Sequence, residues 1–143
     1  MNLFKHYPKD TFEALWDNFS ELIDSQKIIS ASEAKKEMEV FDDDTGKWCK
    51  KNNAIFLKPT TEELVTVRQI LKAHPDLLKK KSVNIGNPEA DPFLIAQAKA
   101  RGIPIVTMEQ FKDGGHKIPN VCKDLNVKCL HLFAFFKEEG WRF

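Results

Sequence analysis

The sequence predicts an α/β fold in which helices alternate with short strands gathered in a small parallel sheet. Three observations predict it. Apolar residues recur at helical spacing in several segments, while brief apolar runs rich in β-branched residues lie between them. Those runs are separated by helical segments rather than by hairpin turns, which is how parallel strands are connected. The 143 residues suit a single domain, residues 1–143, long enough for a real core.

In chain order, the start at Met1 runs directly into Asn2-Leu3-Phe4-Lys5-His6-Tyr7-Pro8, with no strand-like run before it. Asp10 is placed to cap a first helix, with Glu13 as its capping-box partner and Phe12, Leu15, Trp16, Phe19, Leu22 and Ile23 along one face. That aromatic stripe reads as core packing. Ile28-Ile29-Ser30 is a brief extended link, and Ser30 or Ser32 can cap a second helix through to about Val40. Glu33 and Glu37 share one face of that helix, where Lys35 and Lys36 can pair with them in solvent. Asp42-Asp43-Asp44 lacks the alternating ligands of a calcium loop and reads as a solvated run opening a helix that carries Trp48. Ala54-Ile55-Phe56-Leu57 is a short strand. Thr60 or Thr61 caps the next helix, with Glu63 in its first turn and Leu64, Val67, Ile70 and Leu71 facing inward. Asp76 to Lys81 continues as a short helix containing the basic cluster Lys79-Lys80-Lys81, and Gly86-Asn87-Pro88 is a loop.

The most informative stretch is Asp91 to Glu109. Asp91-Pro92 opens a helix with small and apolar sides, and Gly102 ends it. Ile103 to Val106 then forms an apolar run expected as a buried parallel strand. Thr107 and Glu109 follow at its carboxyl end, where open α/β sheets place their ligands. Two carboxylates brought together there need a proton or a cation between them, and oxygen ligands suit magnesium or manganese. The alternative is structural, with Asp91 a helix cap and Glu109 a solvated loop acid. Downstream, Gln110 to Lys117 is a polar loop with Gly114-Gly115, Pro119 opens a short helix, Val127 to Leu130 is a strand, and His131 to Glu139 is a closing helix packed by Leu132, Phe133, Phe135 and Phe136.

The pattern Asp91-x-x-x-Ile95-Ala96-x-Ala98, Gly102, Ile105-Val106-Thr107-x-Glu109 resembles the second half of a PIN domain, the nuclease fold of VapC-type toxins. Lys117-Ile118-Pro119-Asn120-Val121-Cys122 and Gly140-Trp141-Arg142-Phe143 are similar to a bacterial PIN-like subfamily of unknown function. The resemblance implies a three-layer α/β/α sandwich and a metal-dependent ribonuclease, the toxin of a toxin-antitoxin pair. It implies Glu37, Asp91 and Glu109 as the catalytic acids holding Mg2+ or Mn2+, with Glu33 in reserve for Glu37 and Thr107 orienting Glu109. Lys112, His116 and Lys117 would place positive charge where a phosphate backbone lies. RNA as substrate, a cognate antitoxin and a homodimer are the implied partners.

The family's central first strand, with its aspartate, precedes a segment resembling Asn2 to Pro8, so the resemblance implies that this chain begins after it. Asp10, at the start of the first helix, cannot replace that acid. The expectation for such a chain is weakened metal binding, and two outcomes stay open: a ribonuclease, or a catalytically dead PIN-like module that binds RNA or protein.

With 22 basic against 21 acidic side chains, net charge +1 does not announce a nucleic-acid binder, so any RNA contact must come from a local patch. No apolar run approaches the roughly 20 residues of a membrane span, and the expected location is cytoplasmic. Cys49, Cys122 and Cys129 read as reduced thiols. Zinc held by Cys122, Cys129, His116 and His131 is a rival whose spacings match no common pattern.

Overall fold

A computed structural model describes residues 2–40, 44–77 and 90–143. The fold is mixed α/β with small parallel sheets, and the chain divides into two compact units, Met1–Lys58 with Phe143 and Pro59–Arg142.

The first unit opens with α1 (Asn2–His6) and α2 (Glu13–Asp24). The expected Asp10–Glu13 capping box does not form. The N–H groups of Thr11 and Phe12 are already taken by the carbonyl of Pro8, at 3.1 and 2.9 Å, so α2 starts at Glu13 with Phe12 as its cap. After it come β1 (Ser30–Ala31), α3 (Ser32–Glu39), α4 (Asp44–Lys51), a turn of 3-10 helix and β2 (Phe56–Leu57). Strands β1 and β2 pair in parallel, Ser30 opposite Phe56 and Ala31 opposite Leu57. The interior is aromatic: the Phe4 and Trp16 ring centroids lie 4.6 Å apart, Phe4 and Trp48 5.6 Å, and Trp48 and Phe56 6.4 Å. The stripe on α2 is therefore packing, as its spacing predicts. Asp42 and Asp43 lie outside the described residues.

The second unit opens with α5 (Thr61–Ala73), whose capping box is complete: the Thr60 hydroxyl accepts from the Glu63 N–H at 3.1 Å, and the Glu63 carboxylate accepts from the Thr60 N–H at 2.8 Å. Val67 and Ile70 face inward as expected, but Leu64 is exposed. A turn of 3-10 helix, Pro75–Leu77, replaces the start of the expected helix after Pro75. Lys79-Lys80-Lys81 and Gly86-Asn87-Pro88 lie outside the described residues. The chain continues in α6 (Asp91–Arg101), β3 (Ile105–Thr107), α7 (Ile118–Leu125), β4 (Cys129–His131) and α8 (Leu132–Glu138). Gly102 ends α6 in the left-handed conformation at φ 63°, a backbone state that costs glycine little. β3 and β4 pair in parallel with α7 between them, Ile105 opposite Cys129 and Thr107 opposite His131.

This core is aliphatic. Helix α5 packs on α6, where Ala96 and Ala98 allow close approach, and Ile70, Ile95, Ile105 and Val121 fill the space beneath. The strand is less enclosed than its composition suggests: Ile105 is buried, but Ile103 and Val106 are exposed. Of the closing helix, Leu132 and Phe136 are buried, whereas Phe133 points to solvent. The single small sheet expected from sequence is thus two two-stranded sheets among the described residues, because each crossover pairs only its own two strands.

Candidate functional site

The second unit gathers its polar chemistry where β3 and β4 end. Helix α6 returns into β3 through a three-residue link, Gly102 to Pro104, and Asp91 opens that helix. Asp91 is buried and is the first helical residue rather than the cap. Ala90 occupies the cap position, and Asp91 follows it as the acid of the first turn, where the helix N–H groups favour negative charge.

Past β3, Thr107 and Glu109 form a tight turn. The Thr107 hydroxyl accepts a 3.1 Å hydrogen bond from the backbone N–H of Glu109, so it fixes the chain there and does not grip the carboxylate. The carboxylate is held from the other side: Glu109 Oε2 accepts from the N–H of Ile118, the first residue of α7, at 3.0 Å. An acid at a helix N-terminus is stabilised by the N–H groups there. Its second oxygen has no donor among the described residues.

Between Glu109 and α7 the loop is fastened by Asn120, a residue that sequence reasoning did not single out for this role. The Lys112 carbonyl accepts both the Asn120 side-chain amide, at 2.7 Å, and the N–H of Gly115, at 2.8 Å. A Cβ at Gly115 would lie 2.8 Å from the Lys112 carbonyl and 2.9 Å from Asn120 Oδ1, so only glycine fits without a shift. Asn120 Oδ1 is buried without a hydrogen-bond partner among the described residues, facing that glycine. The Gly114-Gly115 pair was the one signal of close approach; the side chain that approaches was not encoded locally.

The cleft beside this turn encloses about 450 Å³ and is lined by Glu109, Phe111, Lys123, Cys129 and His131 among others. The Lys123 ammonium sits 4.8 Å from the centre of the Phe111 ring. The Cys122 and Cys129 thiols contact one another from α7 and β4. Burial, and then the neighbouring Cys129, push the Cys122 thiol up to about 12. Burial also raises Cys129; the hydrogen bond with Cys122 opposes this, and the Glu109 charge adds to it. Both are protonated at neutral pH, which makes them poor nucleophiles and poor metal ligands there.

The remaining expected residues are placed as follows. His116 Nε2 stands 3.5 Å from an Asp76 carboxylate oxygen, and Lys112 and Lys117 are ordered chiefly through their carbonyls, which tie the loop to α7. Glu37 and Glu33 belong to α3 of the first unit, whereas Asp91 and Glu109 belong to the second. Of the α3 acids, Glu33 is the buried one. It receives the Ser32 hydroxyl at 2.9 Å and stands 3.5 Å from Lys36, while Lys35 pairs with Glu39 at 3.2 Å. Among the described residues no three His, Cys, Asp or Glu side chains are gathered as a metal ion would need, for the acidic set and the zinc set alike. No helix among the described residues is long and apolar enough to cross a membrane.

Neither a curated protein nor a solved structure matches the chain. A family model does, over residues 3–143, and the chain therefore belongs to the family described as a domain of unknown function (DUF4411).

Proposed function

We propose that this protein is a metal-dependent ribonuclease of the PIN type, with its sheet-and-helix layers forming that fold's sandwich, and that it acts as the toxin of a toxin-antitoxin pair. The observation that carries the proposal is the buried carboxylate of Asp91. It stands in the first turn of α6, in the same unit as Glu109, whose carboxylate is fixed at the start of α7. The pattern from Asp91 to Glu109 supplies the likeness to PIN nucleases.

Hard carboxylate oxygens fit Mg2+ or Mn2+, and magnesium sites commonly use one or two carboxylates with water and substrate phosphates completing the shell. Asp91 and Glu109 would hold the ion; the third acid that the resemblance implies is Glu37, on α3. Such an ion supplies a water of lowered pKa and a counter-charge for the phosphate under attack. The chain's own part is to fix the Glu109 carboxylate. The Ile118 N–H holds Oε2 of Glu109, and the Thr107 hydroxyl fixes the backbone at the same residue. Lys112 and Lys117, on the loop beyond, supply positive charge for an RNA backbone. A cognate antitoxin, and a second copy of the chain, are the proposed protein partners.

Incubating structured and unstructured RNA with the protein and manganese should give cleavage that Asp91→Asn abolishes and chelation stops. Glu37→Gln should reduce the same cleavage. Activity surviving Asp91→Asn would remove this acid from the mechanism.

A second reading has its own observation. Glu109 already accepts a helix N–H, a structural task that a non-catalytic RNA- or protein-binding module of the same shape would retain. Such a module should bind no manganese through Asp91.

A further inference from the structure

A cleft of the first unit carries a pattern that the acidic residues do not use. It encloses about 1010 Å³, at the upper end of the volume typical of small-molecule sites. Four lysines line it: Lys5 from α1, Lys9 from the following turn, and Lys47 and Lys51 one helical turn apart on α4. Two acids line it too, Asp10 and Asp44. No lysine of the four is held in an ion pair among the described residues, and Asp10 receives the Thr11 hydroxyl instead. Lys47 and Lys51 repel one another on a shared helix face, an arrangement that an anion between them would relieve. A chain of net charge +1 thus concentrates four cations at one place, none of them in an ion pair among the described residues.

The floor is aromatic. Phe4 and Trp48 line it, with Trp16 packed behind Phe4, and Phe4 is only half-buried, so part of its ring faces the cleft. The Lys9 ammonium lies 5.5 Å from the centre of that ring and 4.9 Å from that of Trp16. Cations beside a partly exposed ring are a combination that holds nucleotides, the base stacking on the ring while phosphates meet the lysines. An acidic peptide would use the lysines and leave the ring unused.

We propose that this cleft is a nucleotide-binding site, taking a base on Phe4 and its phosphate on Lys47, Lys51, Lys5 and Lys9. The shared chemistry is a base with an attached phosphate, whether within a single RNA strand or as a free nucleoside monophosphate. The site requires no metal and stands apart from the ribonuclease reading.

The test is fluorescence anisotropy of a labelled oligouridylate of about ten nucleotides with the full chain at low salt, beside adenosine monophosphate followed by tryptophan quenching. EDTA is present throughout, so hydrolysis cannot intervene and failure of the metal site leaves the result untouched. Lys47→Glu with Lys51→Glu should weaken binding about tenfold or more and flatten the salt dependence by about 1.4 in slope, as expected for two lost phosphate contacts on a single strand. Lys72→Glu with Lys137→Glu, exposed lysines of the second unit that line neither cleft, should leave it unchanged. Binding of the oligonucleotide alone assigns the site to a strand; equal binding of the monophosphate assigns it to the free nucleotide. On the unmutated protein, ligand should shift the Trp48 indole N–H resonance and leave that of Trp141 in place, a readout independent of how the variants fold. No binding of either ligand, unchanged affinity in the Lys47/Lys51 variant, or shifts confined to the second unit would overturn the proposal.

Discussion

The two units reach stability by different packing, and the difference separates what each can carry. The first has a core of rings, Phe4, Trp16, Phe19, Trp48 and Phe56, in tilted, edge-on and stacked pairs. The second has a core of Ile70, Ile95, Ile105 and Val121, with small alanines where helices meet. Rings leave faces at their margins that cations can cover, and Lys9 does so. The aliphatic core of the second unit leaves no such handle, and Asp91, Thr107, Glu109 and Asn120 stand at helix starts or just past a strand, while that unit's own lysine over a ring, Lys123 on Phe111, lies at the margin.

The strongest challenge to this contrast is truncation of each core. Ile95→Ala removes a side chain with no exposure and should cost about 2–5 kcal/mol, read by urea unfolding. Trp48→Ala should cost about 3–5 kcal/mol. Hydrogen exchange should show the loss of protection from Ile95→Ala first in α5 and α6, and that from Trp48→Ala first in α2 and α4. Equal losses everywhere would mean that the two cores are not separate packing units.

Next in size is the loop clamp. Gly115→Ala pushes a methyl into the Lys112 carbonyl and Asn120, and should cost about 1–3 kcal/mol in thermal unfolding. If instead it is neutral, the loop is not held as described.

The paired thiols give a pH signature. Burial raises Cys122 from 9.0 to about 12, so the unfolded thiol ionises first. The protonated thiol's contribution is whole below pH 9 and is lost as pH rises toward 12. Melting temperature should fall more steeply over that window in the unmutated protein than in Cys122→Ala, which removes the titrating group. Parallel curves would show that the thiol is not buried as described.

The smallest effect tests a cap. Thr60→Ala should cost about 1 kcal/mol, read in the same melts. It leaves the Glu63 carboxylate on its own N–H partner and removes only the hydroxyl.

That cap also shows what the sequence makes legible. Thr60 and Glu63 have capping-box spacing, and so do Asp10 and Glu13. The first pair forms the box. The second does not, because Pro8 upstream has already engaged the neighbouring N–H groups in its own turn. Local signals such as Gly102 after α6 and Pro119 in the first turn of α7 survive folding, since they depend on the backbone alone. Burial is harder to read. Leu64, Val106 and Phe133 have apolar side chains in apolar runs, yet each is exposed, because the face that meets a neighbour is decided by tertiary packing. The site follows the same division. Asp91 and Glu109 were legible as acids at element ends, but their local roles were not. Asp91 proves to be a buried residue of the first helical turn, and Glu109 a helix-start partner. Asn120 was invisible because its partner, the Lys112 carbonyl, is backbone and has no sequence signature.

The central claim is that Asp91 and Glu109 hold one hard divalent ion. Calorimetric titration of the full chain with manganese tests it most directly. The account predicts one saturable site, weakened about tenfold or more, roughly 1.4 kcal/mol, by either Asp91→Asn or Glu109→Gln. An isotherm with no binding heat, or one that neither substitution changes, would contradict it.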